Sequence, residues 1–160
     1  MNRSVRALTD SDRGWVETVF RDHWGAEFVV SRGVCHYARA LSGFVCIDEH
    51  GTRVGVATYR IDNQECELVS LNAFSKNAGI GTQLVEAVRQ AARSSGCTRF
   101  WLITTNDNLD AIRFYQRRGF AMVAVHANAL EISRRLKPSI PEIGQFGIPL
   151  RDEVEFEMRL

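Results

Sequence analysis

Residues 71–88 read LNAFSKNAGIGTQLVEAV, and this stretch decides the fold. It begins at the end of the stretch 66–73, which reads as a strand with β-branched and leucine character. It then opens an amphipathic helix over 79–95, with Ile80, Leu84, Val85 and Val88 on one face. Ala91 and Ala92 continue that face, and Gly96 is the expected stop. Between strand and helix, Gly79-Ile80-Gly81-Thr82 forms the turn. A helix start offers free backbone N–H groups and a partial positive charge. Glycines let a bulky anion come close to them. Two or three hydrogen bonds to a charged group, at roughly 1.5–3 kcal/mol each, hold a pyrophosphate without a basic patch. Lys76 adds charge just ahead of the glycines.

A bare Gly-x-Gly is equally a tight strand-to-helix turn, so its surroundings must discriminate. The dinucleotide fingerprint asks for a third glycine where Leu84 stands, and for an acidic residue at the end of the next strand. That strand, 99–104, leads into Thr104-Thr105 instead. The Gly-Lys-Ser/Thr of a phosphate-binding loop is also absent. Downstream, residues 104–120 read TTNDNLDAIRFYQRRGF, a second helix capped by Asn106 or Asn108 and ending at Gly119.

Here the pattern becomes specific. Asn108-x-x-Ala111-x-x-Phe114-Tyr115-x-x-x-Gly119-Phe120 after a strand resembles the second acyl-CoA motif of the GNAT superfamily of N-acetyltransferases. Lys76-x-x-Gly79-x-Gly81 resembles their first motif, with Lys where Arg or Gln is usual. The two motifs stand in the right order, one helix and one strand apart. The resemblance implies an α/β fold: a mixed, partly parallel sheet of six to seven strands flanked by helices, in a single domain over 1–160. It implies acetyl-CoA in a V-shaped splay between the strand ending near Ala73 and the strand 99–104. Backbone groups of Leu71, Asn72 and Ala73 would pair with the pantetheine arm. Lys76, Asn77, Ala78, Gly79, Ile80, Gly81 and Thr82 would cradle the pyrophosphate. Asn108, Ala111 and Tyr115 would lie along the pantetheine and thioester. The implied reaction is direct acetyl transfer to a primary amine on a small molecule or peptide. The same residues also allow a catalytically silent acyl-CoA sensor or interaction domain.

Two residues carry the implied chemistry. Glu67 aligns with the catalytic glutamate of histone-type members and reads either as a base or as a solvated strand carboxylate. A free Glu titrates near ~4.3 and an amine near ~10, a gap of roughly 8 kcal/mol, so a base here needs a raised pKa or a water relay. Tyr115 is the expected acid. Its phenol near ~10 is weaker than a thiol near ~8.5, so it serves by hydrogen-bonding the developing thiolate, with water finishing the transfer.

The rest of the chain bounds these readings. With 160 residues, 45% hydrophobic and a net charge of +1, it offers no basic field for nucleic acid. No apolar run is long enough to cross a membrane, and residues 1–13 lack a secretory pattern, so a cytoplasmic location is expected. The four cysteines and four histidines follow no metal-ligand spacing, so no metal is expected. The oligomeric expectation is a monomer or homodimer. Residues 4–8, 43–48, 53–61, 120–125 and 154–160 read as further strands, and a helix runs from Thr9-Asp10-Ser11-Asp12 to about Asp22. Phe28-Val29-Val30 reads as a strand or a buried turn. Trp24 and Trp101 read as core anchors, and Arg134, Arg135 and Lys137 as a solvated basic face. The segments 25–41 and 127–152 are expected to shape substrate entry, the second without clear regular structure.

Overall fold

Seven strands form one mixed sheet in the computed structural model, which describes residues 2–75 and 78–160. In chain order the strands are β1 (Ser4–Ala7), β2 (Phe28–Ser31), β3 (Val34–Tyr37), β4 (Ser42–Ile47), β5 (Arg53–Asp62), β6 (Glu65–Ala73), β7 (Arg99–Thr105), β8 (Ala121–His126) and β9 (Glu153–Arg159). The helices are α1 (Arg13–Trp24), α2 (Ile80–Ser94), α3 (Leu109–Arg117) and α4 (Ala129–Leu136). The sheet order is β1-β4-β5-β6-β7-β9-β8, and β2 and β3 make a separate hairpin. Only β6 and β7 run parallel, because α2 crosses over between them. The last strand inserts between β7 and β8 and pairs antiparallel with both.

The two sheet faces carry different helices. Ala57, Ile80, Leu84, Val88, Phe100 and Phe156 belong to the core beneath α2 and α3. Val16, Phe20, Val29, Ala38 and Val56 form a second core beneath α1 and the hairpin. Neighbouring residues Val56 and Ala57 serve opposite faces, as the period-two alternation of β5 requires.

The feature that makes room for a site is a defect in β6. Its pairing with β5 runs Tyr59↔Leu68 and then Thr58↔Ser70, which leaves Val69 as an extra residue. Such a bulge bends its strand. Pairing of β6 with β7 stops at Leu68↔Leu102, the residue before the bulge. Beyond that point the two strands diverge: Ser70–Ala73 keep only β5, and Ile103–Thr105 keep only β9.

Three expectations change. Phe28-Val29-Val30 is a strand whose hairpin turns at Arg32 and Gly33, both at positive φ. The segment 127–152 contains α4, which the long-loop reading missed. Trp24 is 39% exposed and lines the cleft described below, so it is no core anchor.

Candidate active site

On the α2 face, the divergence of β6 from β7 is bordered by the glycine turn. Gly79 caps α2 in the left-handed region at φ 76°, a conformation that favours glycine. Ile80 and Gly81 are buried in the first turn, where a helix leaves its first N–H groups without intrahelical partners. Two cations that the motif reading did not name stand beside it. Arg3 bonds the carbonyl of Ala78, and Arg118 donates from Nε to Thr82 Oγ1 at 2.8 Å. No local pattern marks either, because both arrive by tertiary packing. Lys76 and Asn77 lie outside the described residues. On β6, Leu71, Asn72 and Ala73 pair with Ala57, Val56 and Gly55 but not with β7. Asn72 Oδ1 is buried without a hydrogen-bond partner among the described residues. An unpaired strand edge, an orphaned amide oxygen and a helix start with adjacent cations fit an amide-bearing arm ending in a pyrophosphate.

Asn108 is the cap of α3, its side chain accepting from the Ala111 N–H at 3.2 Å. Tyr115 sits on the same helix against Phe114, Phe120 and Phe156. Burial pushes its phenol above the ordinary tyrosine value.

On the other face the divergence opens into a cleft of about 640 Å³. Val69 and Ile103–Thr105 form its sheet wall, with Asn108 at the same end. The opposite walls come from β2, α4 and residues 139–145, so both segments expected to shape entry do line it. Asp107 ties residues 139–145 down: Oδ2 accepts from the Gln145 N–H at 2.8 Å, and Oδ1 accepts from Thr105 Oγ1 at 2.5 Å. Gly144 is required there, since a Cβ would stand 2.1 Å from Asp107 Oδ2. Gly144→Ala should cost about 1–3 kcal/mol by urea unfolding, through overpacking and a broken Asp107 contact. Unchanged stability would show that the tie is slack.

Glu67 does not line this cleft; its partner Ser31 does. Glu67 is buried, accepting from Ser31 Oγ at 2.6 Å and from Arg60 Nε at 2.9 Å. Burial raises its carboxyl above the ordinary range, against the pull of Ser31 and Arg60. His36 Nε2 lies 3.8 Å from Glu67 and has no hydrogen-bond partner among the described residues. Burial, helped by Arg60, pulls His36 down to about 4.

An unfolded histidine titrates near ~6.5, so between there and about 4 the unfolded chain holds the extra proton. Stability contributed by neutral His36 is therefore present above pH ~6.5 and lost as pH falls, by up to about 3 kcal/mol. Glu67 has the opposite slope, so the comparison with His36→Gln isolates the histidine. Urea unfolding from pH 7 to 4 should show a flatter decline in that variant. Parallel declines would place His36 in contact with water.

Comparison with known proteins agrees with this geometry. Residues 10–120 match the acetyltransferase (GNAT) family. The chain belongs to that family. It is 46% identical over 138 residues to the uncharacterised YdhI of Bacillus subtilis, and 38% identical over 140 residues to YxbD of the same organism, covering 86% and 87% of those chains. Among solved structures it is similar to the IAA acetyltransferase of Bacillus cereus (TM-score 0.77, 18% identity, covering 99% of this chain and 100% of that one). It is also similar to a GNAT acetyltransferase of Elizabethkingia anophelis with acetyl-CoA bound (TM-score 0.74, 17% identity, 99% of each chain). Among the described residues no helix is long and apolar enough to cross a membrane, and no cluster suits a metal ion.

Proposed function

We propose that the protein transfers an acetyl group from acetyl-CoA directly to a primary amine of a small-molecule or peptide acceptor. The observation that carries this is the opening between β6 and β7 beyond the Val69 bulge. Val69 and Ile103–Thr105, which bound the opening, also wall the cleft on one face, while the glycine-capped start of α2 lies on the other. When bound, acetyl-CoA supplies an acetyl thioester. Leu71–Ala73, Asn72 Oδ1, the α2 start, Arg3 and Arg118 would hold it, and Asn108 would lie near its reactive end. Tyr115 would donate a hydrogen bond to the leaving sulfur as negative charge gathers there, with water completing the proton transfer.

On the cleft side, Ser31 and Glu67 form a relay. The amine proton passes to Ser31 Oγ while the Ser31 hydroxyl proton passes to Glu67 Oε2, across the 2.6 Å bond. The raised Glu67 carboxyl narrows its mismatch with an amine. Arg60 keeps the residual charge satisfied.

Calorimetric titration with acetyl-CoA, using NAD as control, tests the reading. Expected is a Kd on the order of micromolar for acetyl-CoA alone, followed by CoA release in a panel of primary amines. Absence of acetyl-CoA binding would overturn the reading. Binding without transfer to any amine would leave an acyl-CoA sensor.

A further inference from the structure

The cleft carries an uncompensated charge. Its buried carboxylate Glu153 has a cation, Arg32 Nη1 at 3.0 Å, and also accepts from the Arg32 N–H at 3.2 Å. Glu67, behind Ser31, has Arg60. Lys137 has no such counterpart. It is 6% exposed, the one lysine or arginine among the described residues that is buried. Its Nζ donates to the Phe28 carbonyl at 2.9 Å and lies 5.2 Å from the centroid of the Phe28 ring. No carboxylate among the described residues pairs with it. The sequence pattern placed Lys137 on a solvated basic face with Arg134 and Arg135; the structure turns it into the cleft wall.

A buried ammonium facing a neutral carbonyl and a ring has lost most of its hydration without gaining an opposite charge. Burial accordingly lowers its pKa. An ammonium has three donors, and one is spent on Phe28.

We infer that the Lys137 end of the cleft binds a negatively charged group, a carboxylate or a phosphate, carried by the amine acceptor. The word "acceptor" rests on the acetyl-transfer reading; the anion subsite does not. The spacing gives the molecule's shape. Lys137 is anchored at the Phe28 carbonyl and Glu153 at the Arg32 N–H. At roughly 3.3 Å per strand residue, these backbone groups lie about 10 Å apart along β2. Glu153 also stands beside the splayed end of β7, its register partner being Thr105. The acceptor therefore places its amine end toward Ser31, beside the Arg32–Glu153 pair, and its anion at Lys137, as an elongated zwitterion.

Calorimetry on the wild-type protein tests this without turnover. The probes are simple alkylamines, the matching ω-amino carboxylates and the matching ω-amino alkyl phosphates, each over increasing chain length. In at least one anionic series the Kd should be about tenfold or more below that of the neutral amine. Which series shows it decides between carboxylate and phosphate. The preference should peak at one chain length and weaken as salt rises. In Lys137→Met the ratio should fall below about twofold, and Lys137→Arg should keep part of it. Equal affinities in both series, a preference flat in length and salt, or one that survives in folded Lys137→Met would overturn the proposal. The wild-type arms decide the matter even where the methionine variant does not fold. Tight anion binding without acetylation of any amine would sink the proposed reaction and leave the subsite standing.

Discussion

Tyr115→Phe is expected to lower kcat about 10²-fold while the Kd for acetyl-CoA changes by less than about threefold. The substitution removes one oxygen from a ring already packed among Phe114, Phe120 and Phe156, so the core that seats it is preserved. What would disappear, on the proposed mechanism, is a hydrogen bond that matters only as the sulfur becomes charged. A preorganised donor of that kind is worth roughly 10²–10³ in rate. Complete proton donation is not needed. Burial has pushed the phenol further from the thiol's pKa, which makes full transfer more uphill and leaves stabilisation by a donated hydrogen as its contribution. Steady-state kinetics with saturating acetyl-CoA, paired with calorimetry, separate the two constants. A kcat within about twofold of wild type would remove Tyr115 from the chemistry and make it a core aromatic. An equal loss in affinity and turnover would make it a cofactor contact instead.

The sequence was most legible where backbone chemistry is local. The glycine turn, the amphipathic α2, the Asn108 cap and the alternating β9 each announce themselves through residues a few positions apart. From these the parallel β6–β7 pair follows, and with it the place of the opening. The bulge was not legible. Val69 sits in a stretch that reads as one continuous strand, and only the register against β5 shows that one residue has no partner. Helix α4 was hidden because its polar residues and the prolines after it look like a loop, while its apolar anchor Leu130 is buried by contacts distant in sequence. Lys137 is obscure in the sequence for the same reason. A lysine beside two arginines resembles a wet surface until Phe28, more than a hundred residues earlier, closes over it. Arg3, ahead of β1, and Arg118, at the C-cap of α3, reach the glycine turn from distant parts of the chain, and no spacing rule connects them. The proposed cofactor half is thus legible where it uses main-chain geometry, and the proposed acceptor half is obscure because it is built from tertiary contacts.

That division makes Glu67 the sharper test of the acceptor half. Glu67→Gln should lower kcat/KM for the amine about 10²-fold near neutral pH, with a deficit that shrinks as pH approaches the amine's own pKa near ~10. The variant is nearly isosteric. Its amide oxygen can still accept from Arg60, and its amide nitrogen can donate to Ser31, so both contacts that hold the side chain remain satisfiable. What the amide cannot do is take a proton. At neutral pH nearly all of the amine is protonated, so removing the base costs most there. Each unit of rising pH supplies about tenfold more free amine and makes the relay less necessary. Ser31→Ala should produce a similar loss, because it interrupts the same path, and the double variant should be little worse than either single one. Multiplicative losses would mean that Ser31 and Glu67 act separately. A uniform deficit at every pH would assign Glu67 to holding β2 against the sheet, through its Ser31 bond, rather than to proton transfer. The buried carboxylate, its raised pKa and its 2.6 Å contact with a serine facing the cleft are what single out the relay.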